Sequence, residues 1–232
     1  MKTIGLIGGM SWESTATYYR LLNEFVKARL GGLHSAKIVL VNVDFHEVEG
    51  PMQSGDWDRV GKSLAQAARQ VQAGGAQCLL LCTNTMHRVA PAIEAAVAGM
   101  PFLHIAEPTA RALKQAGHTR VGLLGTRPTM EQAFYRDYLA SRGIEPLVPP
   151  PKDRELVHRV IFEELCLGVV TKASRAEFRR VMADLAANGA QAIVLGCTEI
   201  SLLVGAADSQ LPLVDTTELH ARAAVDWALR AD

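Results

Sequence analysis

The sequence predicts an α/β protein made of two pseudo-symmetric lobes, each a mostly parallel sheet flanked by helices. Short runs rich in leucine and β-branched residues alternate with longer segments of helical periodicity, which is typical of parallel strands joined by helices. The chain also contains an internal repeat. GAQCLLLCTNT at 75–85 matches GAQAIVLGCTE at 189–199, and IGLIG at 4–8 matches VGLLG at 121–125. We therefore expect two similar halves, each with a first strand and a later GAQ strand.

In the first half, apolar runs alternate with helical segments. Short apolar runs predict strands at 3–7, 37–43, 78–81 and 102–104. Segments of helical periodicity between them predict helices at 14–29, 56–73 and 86–98. Gly31 and Gly74 lie just past the first two helices, where glycine is the commonest residue, and they support these boundaries.

The second half repeats this alternation. Strands are predicted at 121–124, 192–195 and 213–214, and helices at 108–116, 130–141, 153–167, 174–188 and 217–230. The PLVPPPK segment at 146–152 predicts a stiff connection, because proline continues neither a helix nor a central strand. We expect lobe one to comprise 1–104 and 217–232, and lobe two to comprise 105–216.

Composition and charge favour a small-molecule partner. The 232 residues are 49% hydrophobic and 21% charged, as in an ordinary globular protein. Basic and acidic residues both number 24 and form no block, which argues against nucleic acid and against a membrane surface. The four cysteines form no CxxC pair, which argues against a zinc site and favours thiols in a reducing compartment. The first apolar run ends at Gly8 and Gly9, too early for a secretion signal, so we expect a cytoplasmic protein.

The repeat indicates which residues follow the two GAQ strands. Aligned without gaps, it pairs Thr83, and not Cys82, with Cys197. Successive strand residues point to opposite faces, so we expect Cys82 to be packed away while Thr83 faces the cleft between the lobes. Ligands of open α/β sheets bind outside the carboxyl ends of the strands. Thr198 and Glu199 look like a helix start, where backbone amides are expected to lower the pKa of the Cys197 thiol.

Two groups that face each other suit a reaction at a carbon approached from both sides. In racemisation one group removes the α-proton and the other returns a proton to the opposite face. Backbone amides and small hydroxyls can stabilise the charge that develops on the substrate carboxylate. Candidates are the turn at 8–11, Asn84, Thr85, Thr126 and Thr198. GLIGGM lacks the GxGxxG spacing of a dinucleotide site, so no nicotinamide cofactor is expected.

Four motifs together resemble a known family. GLIGGMSWEST near the N-terminus, NTMH at 84–87, LLGTRPTM at 123–130 and GCTEI at 196–200 occur in the order found in cofactor-independent aspartate/glutamate racemases. The likeness is closest to bacterial racemases of broad or L-aspartate/L-glutamate specificity. It implies two pseudo-symmetric α/β lobes with an amino acid bound between them. It also implies a homodimer that uses neither pyridoxal phosphate nor a metal.

The resemblance also implies roles for individual residues. Cys197 matches the second catalytic cysteine, and Thr83 stands where most members have the first. A threonine hydroxyl is far less acidic than a thiol, so Cys197 is expected to be the base, with the L-enantiomer facing it. The matching substrate-binding positions are Met10, Gln53, Asn84, Thr85, Thr126 and Thr198. Glu164 stands where some members have a lysine that binds the side-chain carboxylate of the substrate.

Three other functions stay open at this point. A decarboxylase or cis-trans isomerase of the same superfamily would use Cys197 alone. A non-catalytic protein would bind a metabolite without exchange of its α-proton. A metal site at Cys82 and His87 is the weakest alternative, because no third ligand is placed by the sequence. His87 is expected to begin the following helix and to hydrogen-bond locally, with tuning of Thr83 as the other interpretation.

Overall fold

The chain forms two compact units, each built on one parallel sheet. The computed structural model describes residues 1–230. One unit comprises Met1–Ile105 and the segment from Thr217 onward, and the other comprises Ala106–Thr216. In each unit the sheet is flanked by helices, which confirms the predicted α/β fold class. Within the described residues, no helix is both long and apolar enough to span a membrane.

The first unit contains a three-stranded sheet. Its strands are β1 (Ile4–Gly8), β2 (Ile38–Asn42) and β3 (Cys78–Leu81), in the spatial order β2-β1-β3. Its helices are α1 (Trp12–Leu30), α2 (Phe45–Ser54), α3 (Trp57–Ala73) and α4 (Ala90–Ala96), with a 3-10 helix at Thr85–Val89 before α4. Alternate residues of β3 pack on opposite faces: Leu79 and Leu81 contact the core beneath α3, whereas Leu80 and Cys82 contact the core beneath α1.

The second unit contains a four-stranded sheet in the order β5-β4-β6-β7. Its helices are α5 (Ala106–Gln115), α6 (Arg127–Glu131), α7 (Ala133–Ser141), α8 (Pro151–Glu163), α9 (Lys172–Ala187) and α10 (Ile200–Leu203). Its strands are β4 (Arg120–Gly125), β5 (Glu145–Leu147), β6 (Ile193–Gly196) and β7 (Leu213–Asp215). Short 3-10 helices lie at Leu165–Leu167 and Ala206–Asp208. The last helix, α11 (Thr216–Ala228), follows β7 but belongs to the first unit from Thr217 onward, and its apolar face packs in the core beneath α1.

Strand pairing confirms the register of the internal repeat. Ile7 of β1 pairs with Leu81 of β3, and Leu124 of β4 pairs with Leu195 of β6. The sequence alignment equates Ile7 with Leu124 and Leu81 with Leu195. The two sheets therefore pair equivalent residues. The GAQ glutamines act alike: Gln77 Oε1 accepts the N–H of Thr3 at 2.9 Å, and Gln191 Oε1 accepts the N–H of Thr119 at 2.7 Å.

Several predicted elements differ in the structure. The strand predicted at 102–104 is reduced to one bridge between Phe102 and Leu79. The connection predicted at 146–152 begins inside β5. Pro146 is tolerated there because β5 is an edge strand, which pairs with a neighbouring strand on one side only. The helix predicted at 130–141 is split into α6 and α7.

Helix α2 was not predicted, because Gly50 and Pro51 are both poor helix formers. Two other features compensate for this weak propensity. The Asp44 side chain caps the helix by accepting the N–H of His46, and Val48 is buried in the core. Tertiary burial therefore prevails over local preference in this segment.

Candidate active site

The first strand end is a buried polar segment formed by Thr83, Asn84 and Thr85. The N–H of Cys82 extends the sheet by donating to the carbonyl of Ile7 at 2.9 Å, and the N–H of Thr83 turns back to the carbonyl of Leu81 at 2.8 Å. This tight turn ends the strand and begins the polar segment. Thr83 is buried, with 8% of its surface exposed to solvent.

Cys82 is packed away from this segment, as predicted. It is fully buried in the core that α1 and α11 cover. Burial raises the pKa of the Cys82 thiol far above its ordinary value, and burial raises the pKa of Cys78 to about 12. Both thiols are therefore neutral at physiological pH and act as small apolar side chains.

His87 anchors the turn that contains Thr83. Its Nε2 accepts the N–H of Ile105 at 3.2 Å, so Nδ1 carries the proton and donates it to the carbonyl of Thr83 at 2.7 Å. Burial, followed by the neighbouring His104 and His220, lowers the pKa of His87 well below its ordinary value. His87 lies inside the 3-10 helix at Thr85–Val89 and does not begin it; its bond to Thr83 is local, as expected, whereas its bond to Ile105 reaches 18 residues along the chain.

Two further histidines lie beside His87. The ring centroids of His104 and His220 are 4.5 Å and 6.0 Å from that of His87. His220 Nε2 donates to the carbonyl of Leu103 at 2.6 Å, and its Nδ1 accepts the hydroxyl of Tyr18 at 2.7 Å. Burial lowers the pKa of His220 to about 3. Because these residues are far apart in the chain and follow no motif, the sequence carried no signal for the cluster.

The GGMS turn is tied to the same strand end. Gly9 has a φ of +97°, and its N–H donates to Thr15 Oγ1 at 2.8 Å. The hydroxyl of Ser14 donates to the carbonyl of Cys82 at 3.0 Å, which links the start of α1 to the end of β3. Met10, a predicted substrate-binding residue, is 6% exposed and packs against the core beneath α3.

The second strand end contains Cys197, Thr198 and Glu199, directly after β6. Cys197 is partly buried, whereas Thr198 and Glu199 are buried. The Cys197 thiol donates to Glu199 Oε2 at 2.8 Å, and the Thr198 hydroxyl donates to the same oxygen at 2.8 Å. Thr126 follows β4 of the same sheet, where its hydroxyl lies 3.2 Å from that of Thr129.

The predicted lowering of the Cys197 pKa is wrong. Burial raises the pKa of this thiol well above its ordinary value, and the nearby Glu199 carboxylate and Cys166 raise it further. The following helix α10 has only four residues, and a backbone hydrogen bond that involves Glu199 opposes the rise without reversing it. Sequence reasoning treated Glu199 only as a helix start and missed its contact with the thiol. Its position two residues after Cys197 was the available signal.

Comparison with known proteins assigns the chain that carries these two strand ends to a family. A family model described as Asp/Glu/Hydantoin racemase matches residues 7–224. The chain belongs to this racemase family. The match extends over both compact units and includes Thr83 and Cys197, and it confirms the resemblance found in the motifs.

Similar proteins align with nearly the whole length of this family member. A Yersinia pestis structure assigned to the Asp/Glu racemases is 55% identical, with coverage of 99% of this chain and 100% of the other and a TM-score of 0.92. An aspartate racemase homologue from Pyrococcus horikoshii OT3 is 29% identical, with coverage of 99% and 100% and a TM-score of 0.86. The broad specificity amino-acid racemase RacX of Bacillus subtilis is 21% identical, with coverage of 97% and 98%.

One similar solved structure is that of a decarboxylase and not of a racemase. Arylmalonate decarboxylase is 17% identical, with coverage of 99% of this chain and 94% of the other and a TM-score of 0.55. At that identity the likeness shows a shared fold alone.

Two further family positions have other contacts in this racemase-family chain. Gln53 is exposed on α2, where its side-chain amide donates to Glu49 at 2.8 Å, and its role as a substrate ligand stays a prediction. Glu164 accepts hydrogen bonds from Ser174 at 2.6 Å and from Thr171 at 3.3 Å. It thereby connects the end of α8 to the start of α9. Within the described part of the chain, no group of three or more His, Cys, Asp and Glu residues is arranged to hold a metal.

Proposed function

We propose that this protein is a cofactor-independent amino-acid racemase, with Cys197 and Thr83 as the two residues that exchange the α-proton. One observation carries the proposal. Thr83 and Cys197 follow strands that pair in the same register with the first strand of their sheets, so the repeat gives the two residues the same structural position. Family membership makes amino-acid racemisation the expected chemistry of such a pair.

In the proposed mechanism, Cys197 and Thr83 act on opposite faces of the α-carbon. The Cys197 thiolate removes the α-proton, and the Thr83 hydroxyl donates a proton to the other face of the carbanion. A hydroxyl is a poor resting base, so removal of the proton from the L-enantiomer is expected to be faster than from the D-enantiomer. The equilibrium between the enantiomers is unchanged, since a catalyst cannot shift it.

The remaining polar groups are proposed to hold the substrate carboxylate. The side chains of Asn84, Thr85, Thr126 and Thr198 lie just beyond β3, β4 and β6, and all four residues are buried. Hydroxyl and amide donors in a site of low polarity stabilise charge that develops on a carboxylate. They would therefore favour the carbanion over the bound ground state.

The proposed substrates include aspartate, glutamate and neutral amino acids. Glu164 supports a range wider than the two acidic amino acids, because this position holds a carboxylate that is hydrogen-bonded to Ser174. RacX, a relative over nearly the whole chain, is named a broad specificity racemase. We further propose that the active form is a homodimer, for which light scattering would give twice the chain mass of 25.1 kDa.

A second candidate function is a decarboxylase or cis-trans isomerase that uses Cys197 alone. The observation that favours it is the full burial of Cys82, which leaves Cys197 as the one thiol among the candidate catalytic residues. Such an enzyme would act on a substrate without an amino group.

Incubation in D2O tests the proposal. Single enantiomers of aspartate, glutamate and neutral amino acids are incubated without added cofactor, and the α-proton is followed by NMR while chiral chromatography measures each enantiomer. A racemase replaces the α-proton with deuterium and accumulates the opposite enantiomer, and Cys197→Ala abolishes both effects. An absence of exchange with every amino acid would favour the single-thiol enzyme. A bound ligand without turnover would favour a metabolite-binding protein.

A further inference from the structure

Two hydrogen bonds hold the backbone of Thr83, one on each side of its Cα. Its N–H donates to the carbonyl of Leu81 at 2.8 Å, and its carbonyl accepts the Nδ1–H of His87 at 2.7 Å. The first bond orients the peptide group before Thr83, and the second orients the peptide group after it. Threonine is β-branched and has few allowed side-chain rotamers, so a fixed backbone leaves its hydroxyl few directions. The direction of the Thr83 hydroxyl therefore depends on the His87 ring.

The His87 ring is itself held in one place and in one tautomer. Its Nε2 accepts the N–H of Ile105 at 3.2 Å, which leaves Nδ1 as the protonated nitrogen. The residue is 2% exposed, and the rings of Phe102 and His104 have centroids 5.5 Å and 4.5 Å from its own. Burial lowers the pKa of His87 well below its ordinary value, so the ring stays neutral. A neutral, enclosed ring with both nitrogens bonded is a rigid support for the Thr83 carbonyl.

The strand end that carries the thiol is held in a different way. The alignment that pairs Thr83 with Cys197 also pairs His87 with Ser201. The carbonyl of Cys197 accepts the backbone N–H of Ile200 at 3.2 Å, and the Ser201 hydroxyl donates to the carbonyl three residues before it at 2.8 Å. These bonds stay within one turn of the chain, whereas His87 connects the Thr83 carbonyl to a backbone amide 18 residues farther along. The hydroxyl end therefore has the long-range support.

A hydroxyl that donates a proton to carbon needs accurate placement. It is a weak acid, so it transfers a proton efficiently only when its O–H bond points at the carbanion. A misplacement of about 1 Å can cost about 100-fold in rate. A buried carbonyl by itself could be satisfied by a nearby backbone amide, as at the thiol end. An imidazole tied to a distant segment does more, because it also sets the direction of the carbonyl.

We propose that His87 is a positioning residue, which holds the Thr83 hydroxyl in the direction needed to donate a proton to the carbanion. The inference rests on the proposed racemase function. In this role His87 contacts no reacting atom and transfers no proton. Its effect on catalysis passes through the backbone of Thr83, so a change at His87 is expected to alter one proton-transfer step and to leave the other.

In D2O the carbanion formed from an L-amino acid has two fates. Cys197 takes the α-proton, so the C–H bond breaks and an S–H bond forms. That proton exchanges with D2O, and return of a deuteron to the same face gives the deuterated L-enantiomer. Donation from the Thr83 hydroxyl to the opposite face breaks its O–D bond and gives the D-enantiomer, and the alkoxide then recovers a deuteron from D2O. The ratio of inversion to exchange with retention, called the inversion ratio below, therefore reports the placement of Thr83.

Two amide substitutions of His87 separate its two hydrogen bonds. In His87→Asn the side-chain NH2 lies as many bonds from the backbone as Nδ1 does, so it can still donate to the Thr83 carbonyl. In His87→Gln the amide lies as far out as Nε2, so it can bond the N–H of Ile105 but no longer supports Thr83. Both variants are compared with the parent by NMR and chiral chromatography, with one L-amino acid in D2O. His34→Gln on the exposed surface is the matched control and should leave both rates unchanged.

The two variants are expected to differ in inversion. His87→Gln should lower inversion by about 10- to 100-fold, while exchange with retention changes by less than about threefold. His87→Asn should keep inversion within about threefold of the parent rate. The KM should change little in either variant, because the groups that bind the substrate are untouched. Partial unfolding, measured in urea, reduces both rates equally, so a purely structural role of His87 predicts the parent inversion ratio in every variant.

A double variant tests whether His87 acts through Thr83. Thr83→Val already lacks the proton donor, so the addition of His87→Gln should lower the inversion ratio no further. Residues that act independently would instead have additive effects. A further fall in the double variant, or the parent inversion ratio in His87→Gln, would overturn the proposal.

A measurement on the parent protein keeps the test independent of how well the variants fold. In protein with isotope-labelled histidine, NMR identifies the ring nitrogen of His87 that carries the proton. The proposal requires a neutral ring protonated at Nδ1 at neutral pH. A ring protonated at Nε2 alone cannot donate to the Thr83 carbonyl through Nδ1, and a doubly protonated ring cannot accept the Ile105 N–H. Either result contradicts the proposal.

The outcomes also separate this inference from the proposed function. A parent protein that neither exchanges nor inverts any amino acid excludes the racemase proposal and this inference with it. A parent protein that does both, with the same inversion ratio in His87→Gln, excludes the role of His87 alone.

Discussion

The carbonyl of Thr83 accepts a 2.7 Å hydrogen bond from Nδ1 of His87, at the point where β3 ends. The same ring accepts the N–H of Ile105 through Nε2, so one neutral imidazole joins the polar turn to the segment before α5. A doubly protonated ring could not accept the Ile105 N–H. The position of Thr83 therefore depends on a histidine that stays neutral.

The buried histidines predict a loss of stability in acid. His87 and His220 have lowered pKa values in the folded protein, so below pH 6.5 the unfolded chain binds protons that the folded chain does not. Stability therefore falls as the pH falls from about 6.5. His220, whose pKa is lowered to about 3, lowers the free energy of unfolding by about 2 kcal/mol at pH 5, and His87 acts in the same direction. Urea unfolding between pH 7 and 5 measures this slope. His220→Gln should reduce the slope by about one proton, and the same change at exposed His34 should leave it as it was. An unchanged slope in His220→Gln would contradict the prediction.

The two cysteines near the strand ends are expected to respond differently to alanine. Cys197→Ala should abolish α-proton exchange and leave the fold intact, because this residue is only partly buried. Cys82→Ala should retain most of the exchange and lower the free energy of unfolding by about 1 kcal/mol, because it removes a fully buried side chain. Exchange in D2O and urea unfolding measure the two effects. If Cys82→Ala lost activity with its fold intact, the alignment that equates Thr83, and not Cys82, with Cys197 would be wrong.

Thr83→Cys is expected to strengthen catalysis from the D-enantiomer. A thiol of reference pKa about 8.5 is a far better base than a hydroxyl, so kcat/KM for a D-amino acid should rise at least about tenfold. Thr83→Val is the matched control, because it keeps the branched shape and removes the proton donor. It should lower racemisation in both directions. Chiral chromatography of each reaction from pure enantiomers provides the measurement, and full activity of Thr83→Val would exclude a role for the hydroxyl.

In the GGMS turn, a side chain at Gly9 is expected to clash with neighbouring backbone. Comparison with Gly55 separates this clash from the strain of a positive φ. A Cβ on Gly9 would lie 2.0 Å from the carbonyl oxygen of Val43, and the residue has a positive φ. Gly55 also has a positive φ but has no atom within 4 Å of an added Cβ. Gly9→Ala is therefore expected to lower the free energy of unfolding by more than about 3 kcal/mol, and Gly55→Ala by about 1 kcal/mol. Equal losses would show that backbone strain alone determines both.

Local sequence patterns predicted most of the fold correctly, and the exceptions have physical causes. The strands β1, β3 and β6 lie close to their predicted bounds, because buried parallel strands are short continuous apolar runs between turn signals. Helix α2 was missed because its stability comes from the burial of Val48 and not from the propensity of its residues. β5 was missed because an edge strand tolerates a proline that a central strand would exclude.

The sequence by itself determined the racemase family and the repeat that equates Thr83 with Cys197. Both follow from residue order, because aligned motifs need no information about distances. The tertiary structure alone decided the protonation states around these residues. The pKa of Cys197 is raised and not lowered, since it depends on burial and on the approach of Glu199 to the thiol. The neutral state of His87 likewise depends on its burial, and then on His104 and His220, which only folding brings beside it.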